Sequence, residues 1–377
     1  MRFYDAIVIG AGPAGSVTAL RLAREGASVL LLDRAKFPRD KPCGGGLTYR
    51  AIRELPVDVT PVVEDVVDRF EFSFRYRLRF ERKSAASIIL MTQRRRLDAF
   101  LAEQAAEAGA EFRDATKVTA VADDGTVRVG GETLRAGVVV GADGVNGITT
   151  RSLGLKQRYR YGVALEGNVP YERTCEPRFR GRAVLELAVV PGGYGWVFAK
   201  GDHVNVGVGG WEAEGPRLRA HLAKLCAAHD ISTGAVEETR GYRLPLRRRE
   251  DDLSKGRVLL VGDAAGLVDP LSGDGMYEAF VSARLASQAI LGTDLAGYAS
   301  ALSAALSSNA SASWAAKRAL DRFPRIVYGF ARIPVVWRFA DALLRGELAS
   351  PSEARGTMKA PLKVVKALGK LDERLAA

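Results

Sequence analysis

The fold is decided by residues 4–15, Tyr-Asp-Ala-Ile-Val-Ile-Gly-Ala-Gly-Pro-Ala-Gly. The apolar run before the first glycine predicts a buried parallel strand, and the Ala/Leu-rich segment after the glycines predicts a helix. A second apolar strand is predicted at residues 28–32. Gly10 permits a tight turn, Gly12 lets the backbone approach a pyrophosphate, and Gly15 lets helix and strand pack closely. These features predict a βαβ unit that binds a dinucleotide at the helix N-terminus.

Three further residues near this turn are assigned to the same cofactor site. Asp33, at the end of the second predicted strand, is placed to accept hydrogen bonds from ribose hydroxyls. Ala14 and Arg34 lie beside the glycine turn and beside Asp33 in the sequence. The alternative, a glycine turn without a ligand, has to account for three glycines and Asp33 together.

A distant segment, residues 257–286, favours FAD over NAD as the dinucleotide. An apolar strand there ends in Asp263, whose carboxylate suits the hydroxyls of a ribityl chain. Gly273 and Gly275 lie in the following loop, and a helix is predicted to begin near Met276. The positive N-terminal end of that helix can face the flavin N1/C2 carbonyl. The alternative for Asp263 is an ordinary N-cap or turn residue.

The pattern changes at residues 70–80, where apolar and polar side chains alternate strictly. Such alternation predicts a half-buried antiparallel strand. Short strands with Gly/Pro turns then follow, and helical periodicity dominates the end of the chain. The sequence therefore predicts an α/β fold in which a Rossmann-like FAD-binding domain (1–69, 92–157 and 250–290) is interleaved with an antiparallel β-sheet substrate domain (70–91 and 158–249) and followed by a C-terminal helical region (291–377).

Composition limits the class of protein. The chain has 377 residues, of which 47% are apolar and 26% charged, as in globular proteins and unlike disordered or coiled-coil ones. Cys43, Cys175 and Cys226 are too widely spaced for a zinc motif or a disulfide framework, which fits a reducing cytosol. The three histidines have no metal-ligand spacing, so no metal is expected. A strand beginning at residue 4 leaves no room for a cleavable leader, and we expect a cytoplasmic protein.

Three more motifs carry a resemblance to known proteins. Gly141-Ala-Asp-Gly144, together with the opening fingerprint and the Gly-Asp strand, resembles the motifs of FAD-dependent oxidoreductases related to para-hydroxybenzoate hydroxylase. Lys41-Pro-Cys-Gly-Gly-Gly-Leu47 is similar to the cysteine–glycine loop of the geranylgeranyl reductase family. Pro191-Gly-Gly-Tyr-Gly-Trp-Val-Phe-Ala-Lys200 is similar to that family's Tyr-x-Trp-x-Phe-Pro substrate motif, with Ala199 where the family usually has proline.

The resemblance implies FAD-dependent reduction of isolated carbon–carbon double bonds in prenyl chains. Such chains occur on chlorophyll precursors, archaeal-type lipids and quinones such as menaquinone. The resemblance also implies that Arg94 contacts FAD, that the backbone of Val118 contacts its adenosine part, and that Gly275 and Met276 contact the flavin ring. The electron donor would be NADPH or a ferredoxin, and the sequence contains no second fingerprint for a stably bound nicotinamide nucleotide.

This chemistry has physical requirements that single out the remaining site residues. An isolated alkene has no carbonyl to accept charge, so hydride addition needs protonation of the other carbon in a dry, apolar slot. Residues 44–46 are glycines and let a prenyl chain lie close to the flavin ring. Tyr194, Trp196 and Phe198 alternate along one predicted strand and therefore form one wall. Cys43 or Tyr194 would deliver the proton; the alternatives are core packing for the aromatic residues and a small apolar filler for Cys43.

Basic residues are concentrated at the end of the chain. The net charge is +11, and residues 317–377 contain thirteen Lys and Arg against six Asp and Glu. Residues 323–344 combine apolar residues with arginines, which is typical of an element that lies in the interface of an anionic bilayer. We expect peripheral contact with the inner face of a membrane or, as the alternative, helices packed on the core. No recognition motif accompanies the charge, so no nucleic acid partner is expected.

Two other functions share part of this pattern. A flavin-dependent monooxygenase or halogenase has the same fingerprint, Asp143-Gly144 and the Gly-Asp strand, but does not require the cysteine–glycine loop together with the aromatic motif. A flavin- or lipid-binding protein without turnover is the third possibility. The leading prediction is an enzyme, an FAD-dependent reductase that acts on CH–CH groups of a prenyl lipid or prenylquinone.

Overall fold

The computed structural model describes residues 3–155, 160–174, 176–246, 252–360, 363–364 and 367–368. Some sequence-based predictions fall on residues outside these ranges: the domain boundaries at 157/158 and 249/250, Cys175, and three of the thirteen basic residues counted at the end of the chain, Lys366, Lys370 and Arg374. The other domain boundaries stay predictions. None of the helices in the described part of the chain combines the length and hydropathy of a membrane span.

The described residues form three β-sheets covered by helices. The strands are β1 (Phe3–Ile9), β2 (Val29–Leu32), β3 (Gly46–Thr48), β4 (Asp65–Val67), β5 (Arg69–Phe74), β6 (Leu78–Lys83), β7 (Ile89–Met91), β8 (Glu111–Arg113), β9 (Val118–Val121), β10 (Thr126–Val129), β11 (Glu132–Gly141), β12 (Arg160–Pro170), β13 (Arg182–Leu187), β14 (Tyr194–Ala199), β15 (His203–Trp211), β16 (Glu237–Leu246), β17 (Ser254–Lys255) and β18 (Val258–Leu260). The helices are α1 (Pro13–Arg24), α2 (Tyr49–Ile52), α3 (Arg94–Glu107), α4 (Ile148–Leu153), α5 (Leu218–Ala228), α6 (Met276–Leu291), α7 (Tyr298–Arg322), α8 (Pro324–Ala331) and α9 (Pro334–Leu344).

The first sheet contains the predicted βαβ unit. Its strands follow the order β17-β18-β11-β1-β2-β8, and β10 and β9 extend it beside β11. β1 is parallel to both β2 and β11, and Ile9 lies opposite both Leu32 and Gly141. The turns that follow these three strands therefore meet at the carboxyl edge of the sheet, where ligands of such folds bind.

The second sheet has the order β16-β12-β15-β14-β13-β5-β6. Its neighbouring strands are antiparallel, except that β5 and β13 are parallel. The hairpin β5–β6 precedes α3 in the chain, whereas the other strands follow α4. Two distant segments thus build one sheet, and the predicted interleaving with the Rossmann-like unit is confirmed. A third sheet, β3-β7-β4, completes the fold.

The alternating segment 70–80 is a hairpin, so its prediction as one strand is wrong. β5 ends at Phe74, and the turn contains Arg75 and Tyr76 with φ angles of 53° and 62°. Two successive residues with positive φ make the tight turn that fits a hairpin. Glycine or asparagine usually marks such a turn, but neither is present here. The alternation of side chains therefore continues across the turn and conceals it.

The helices α8 and α9 pack on the aromatic face of this hairpin. The Trp337 ring lies 5.7 Å from that of Phe70, and the Tyr328 ring lies 5.3 and 5.4 Å from those of Phe74 and Phe80. Trp337 and Tyr328 are buried. One face of segment 323–344 is thus packed on the protein, as in the alternative drawn from the sequence.

Candidate active site

A cavity of about 1020 Å³ lies between the carboxyl edge of the first sheet and the second sheet. Gly15 is outside its lining: a Cβ atom there would lie 1.8 Å from the Gly10 carbonyl oxygen, so Gly15 packs α1 against the turn. The other predicted site residues line the cavity: Gly10, Gly12, Ala14, Asp33, Arg34, Cys43, Gly44, Gly45, Gly46, Arg94, Val118, Tyr194, Trp196, Phe198, Asp263, Gly273, Gly275 and Met276.

Two arginines flank the glycine turn. A Cβ atom on Gly12 would lie 3.6 Å from Arg39 Nη2 and 3.9 Å from Arg94 Nη2. Asp98, which is fully buried, accepts from Arg94 Nε and Nη2 at 2.7 and 2.8 Å and pairs with Arg39 Nη1 at 2.9 Å. Burial lowers the pKa of Arg94, but the charge and hydrogen bonds of Asp98 outweigh it and raise that pKa. Two held cations beside the N-terminus of α1 suit a pyrophosphate. The sequence analysis missed Arg39.

Asp33 ties the glycine turn to the end of β2. Its Oδ2 accepts from the Ala11 N–H, and its Oδ1 accepts from the Ala35 N–H, both at 2.9 Å. Arg39 Nη2 lies 3.5 Å from Oδ2. The carboxylate is thus held in place on the cavity wall, where the sequence predicts the ribose.

Asp263 has two partners that the sequence analysis missed. Lys41 Nζ lies 3.2 Å from Asp263 Oδ2, and the Tyr242 hydroxyl donates to the same oxygen. Burial would raise the pKa of Asp263, but the Lys41 charge and both hydrogen bonds outweigh it, so that pKa is lowered. Lys41 begins the cysteine–glycine loop, which was a usable signal; Tyr242 lies in a strand without a motif. The predicted acceptor for a ribityl chain is therefore an ionised carboxylate.

An aromatic wall and a glycine loop face each other in the cavity. The Tyr194 and Trp196 rings are 6.1 Å apart, and the Trp196 and Phe198 rings are 6.4 Å apart. A Cβ atom on Gly44 would lie 3.1 Å from the Phe198 ring, so a side chain at this position would press on the wall. Gly45 has a φ of +88°, and its Cβ would lie 2.2 Å from the Thr92 carbonyl oxygen. Only glycine fits this loop conformation.

The two predicted proton donors are both protonated at neutral pH. Burial raises the pKa of the Cys43 thiol, although the Arg94 and Lys200 charges act in the opposite direction. Burial also raises the pKa of Tyr194, with the charges of Asp274 and Asp269 adding to the effect. The Tyr194 hydroxyl donates to the Ser272 carbonyl. The Cys43 Sγ accepts from the Gly45 N–H at 3.4 Å, which leaves the thiol proton unused by this bond.

These features fit an FAD along the cavity. Gly12 with its two arginines would hold the pyrophosphate, Asp33 and Val118 the adenosine half, Asp263 the ribityl chain, and Gly275 with Met276 the ring. One donor differs from expectation: the Met276 N–H at the start of α6 donates to Asp274 Oδ1 at 2.9 Å. The Met276 amide therefore donates within its own loop. What α6 would still offer to the flavin ring is the positive electrostatic field of its N-terminus.

The arginine pair leads to a prediction. Arg94→Met removes one of the two cations at the pyrophosphate position, and we expect the Kd for FAD to rise about 10–100-fold, as for a lost charged hydrogen bond. Fluorescence titration of apoprotein with FAD measures this change. Arg95→Met is the matched control, because Arg95 is the exposed neighbour on the same helix. If the two variants bind FAD with equal affinity, Arg94 does not contribute to FAD binding.

Comparisons with known proteins agree with this site. A family model described as an FAD binding domain matches residues 4–299. The chain is 33% identical over 323 residues to a menaquinone reductase of Mycolicibacterium smegmatis, covering 79% of this chain and 78% of the relative. It is 32% identical over 303 residues to a geranylgeranyl diphosphate reductase of Rhodobacter capsulatus, covering 76% and 75%.

Solved structures show the same fold. A geranylgeranyl bacteriochlorophyll reductase-like protein from Thermoplasma acidophilum has a TM-score of 0.78 at 22% identity and covers 100% of both chains. The flavin-dependent brominase Bmp2 has a TM-score of 0.74 at 19% identity and covers 99% of this chain and 100% of its own. With the sequence relatives, the chain therefore belongs to the geranylgeranyl reductase family of FAD-dependent oxidoreductases, within the para-hydroxybenzoate hydroxylase-like flavoproteins.

Proposed function

We propose that this protein reduces carbon–carbon double bonds in the isoprenoid chain of a lipid or prenylquinone. The observation that carries the proposal is the part of the cavity, here called the slot, that is lined by the aromatic wall (Tyr194, Trp196 and Phe198) and the glycine loop (residues 44–46), with Cys43 in the same lining. Such a slot suits a flat hydrocarbon chain rather than a polar substrate. The relatives named menaquinone reductase and geranylgeranyl diphosphate reductase support a prenyl-bearing substrate.

The side chains of the slot would bind the chain, exclude water and supply a proton. Reduced FAD supplies hydride in this chemistry. The aromatic wall would align one double bond and keep water out. Cys43 would donate its thiol proton to the second alkene carbon, and the thiolate would lie near the charges of Arg94 and Lys200. Water that enters when the product leaves would then reprotonate it. One hydride and one proton together saturate one double bond.

We assign the proton to Cys43 rather than to Tyr194. The Tyr194 hydroxyl already donates to the Ser272 carbonyl, so its proton is committed to a backbone acceptor. Its ring remains part of the wall. For the electron donor we propose NADPH or a ferredoxin that binds transiently, because the sequence has no second nucleotide fingerprint.

The proposed reaction has a direct test. The flavin is reduced under nitrogen, a prenylquinone or geranylgeranyl lipid is added, and flavin absorbance at 450 nm is followed. We expect reoxidation without oxygen and a gain of two hydrogens per reduced prenyl unit in the lipid mass spectrum. If the flavin is reoxidised only when oxygen is present, and the product has gained oxygen or halide, the protein is instead a monooxygenase or halogenase. If added prenyl lipid leaves the flavin reduced, the protein is a flavin- or lipid-binding protein without turnover.

The proton donor has a separate test. Cys43→Ala should lower the turnover of prenyl lipid about 10²–10⁴-fold, as for loss of a general acid, with FAD retained. Because burial raises the thiol pKa, wild-type activity should persist at neutral pH and fall only as pH rises through that pKa. Cys226→Ala is the control, since Cys226 lies in the core under the second sheet. Full turnover by Cys43→Ala would transfer the role to another residue.

We also infer where the protein contacts a membrane. Leu78, Ile326 and Ile333 are exposed apolar side chains, with 58, 48 and 40% of their surfaces accessible. The elements that carry them are in contact, because the Tyr328 hydroxyl donates to the Leu78 carbonyl at 2.7 Å and Arg82 donates to the Arg332 carbonyl. Exposed arginines lie near them in the chain: Arg77, Arg325 and Arg332. Apolar side chains among arginines suit an anionic lipid surface.

Vesicle binding tests this surface. Ile326→Glu and Ile333→Glu should each weaken sedimentation with phosphatidylglycerol vesicles by about tenfold, because each places a negative charge against anionic lipid. Phe3→Glu is the matched control, since Phe3 is a 60% exposed side chain at the start of β1. Added salt should weaken wild-type binding. The same loss in all three variants, or none in any, would contradict this location.

A further inference from the structure

Both polar groups of the Cys43 peptide are bound by buried charged side chains of the second sheet. The Cys43 N–H donates to Glu166 Oε1 at 2.6 Å, and Lys200 Nζ donates to the Cys43 carbonyl at 2.9 Å. Glu166 lies in β12, and Lys200 directly follows β14. Only 9% of Glu166 and 4% of Lys200 is exposed. An acid and a base that the sequence analysis did not identify thus hold one residue of the Rossmann-like unit from opposite sides.

We propose that Glu166 and Lys200 are positioning residues that fix the Cys43 thiol in the slot. The loop after Cys43 is three glycines, and glycine loses the most conformational freedom on being ordered. Without outside contacts such a loop would leave its cysteine in many orientations. We call these two contacts, Glu166 to the Cys43 N–H and Lys200 to the Cys43 carbonyl, the clamp. The clamp supplies two charge-assisted hydrogen bonds, which are stronger than neutral ones, at the residue whose thiol must reach the substrate.

The clamp is continuous with the aromatic wall. Glu166 is hydrogen-bonded by Asn205, and Asn205 Oδ1 accepts from Trp196 Nε1 at 2.8 Å. A shift of the wall would therefore reach the cysteine loop through three hydrogen bonds, Trp196–Asn205, Asn205–Glu166 and Glu166–Cys43. On the other side, Lys200 Cε lies only 2.8 Å from where a Cβ of Gly45 would be, so the lysine stem also packs on the loop. The thiol and the wall that receives the substrate are held as one unit.

The charges around the thiol make the clamp measurable. Arg94 and Lys200 lower the pKa of Cys43, and Glu166 raises it; burial has the largest effect and also raises it. Tyr242, from β16, also interacts with Cys43. Removing Lys200 should therefore raise the thiol pKa, and removing the charge of Glu166 should lower it. A purely steric support would not shift the pKa in opposite directions.

The experiment uses the FAD-bound protein and the variants Glu166→Gln, Lys200→Met and the double variant. Alkylation of Cys43 by iodoacetamide is followed by peptide mass spectrometry, which separates Cys43 from the other cysteines, across a pH series. We expect the midpoint of alkylation to move to lower pH in Glu166→Gln and to higher pH in Lys200→Met. Turnover of prenyl lipid should fall about 10–100-fold in each, mainly in kcat, as for a misplaced reacting group.

Lys255→Met is the matched control, because Lys255 Nζ also donates to a backbone carbonyl, that of Leu153, at 2.8 Å but outside the cavity. It should move neither readout. The role of the thiol in turnover rests on the proposed function, whereas alkylation needs no prenyl substrate. If the alkylation midpoints shift in opposite directions but the wild-type protein does not turn over prenyl lipid, the reductase is rejected and the clamp is kept. Midpoints of alkylation that stay at the wild-type pH in both single variants would overturn the clamp. If a single variant loses FAD, turnover and alkylation are measured on the double variant instead, in which the two charges are removed together.

Discussion

The parallel register of β1 between β2 and β11 is the constraint on which the rest of the structure depends. It brings the ends of three strands to one edge, where the turn after β1 touches the turn after β11. Gly10 has a φ of +105°, and a Cβ there would lie 2.3 Å from the Ala142 carbonyl oxygen. Any side chain at Gly10 would push the two turns apart. The floor of the cavity therefore exists only because residue 10 has none.

Polar contacts join one loop, residues 41–46, to the ends of both sheets. Lys41 pairs with Asp263, which follows β18 of the first sheet. The Cys43 peptide binds Glu166 and Lys200 of the second sheet. Buried charges are costly unless paired, and removing one partner leaves the other uncompensated. The loop is thus located by pairs that tolerate little displacement. Hydrophobic contacts alone would fix the position of this loop less precisely, because they are not directional.

The sequence was informative wherever a local requirement dictates the residue. The fingerprint glycines, Asp33 and the Gly-Asp strand could be assigned because a tight turn or a close approach demands them. The hairpin turn at Arg75 and Tyr76 could not, because these residues adopt positive φ without the usual signal. The partners Lys41–Asp263 and Cys43–Glu166 are 222 and 123 residues apart in the chain. Such pairs are produced when segments far apart in the chain pack together, which no local pattern encodes.

The fold by itself does not select the reaction. A brominase and a reductase-like protein both superpose on this chain with TM-scores above 0.7, so the shared architecture accounts for the flavin and not for the substrate. The features of this cavity that bear on the substrate lie on the second sheet and the cysteine loop: three rings along one strand, a run of three glycines, and a thiol that burial keeps protonated. Hydride addition to an isolated alkene leaves a carbanion unless a proton arrives with it. A held acid beside an apolar slot is therefore the feature that the proposed reaction needs from the protein, and in our proposal Cys43 supplies it from outside the dinucleotide fingerprint.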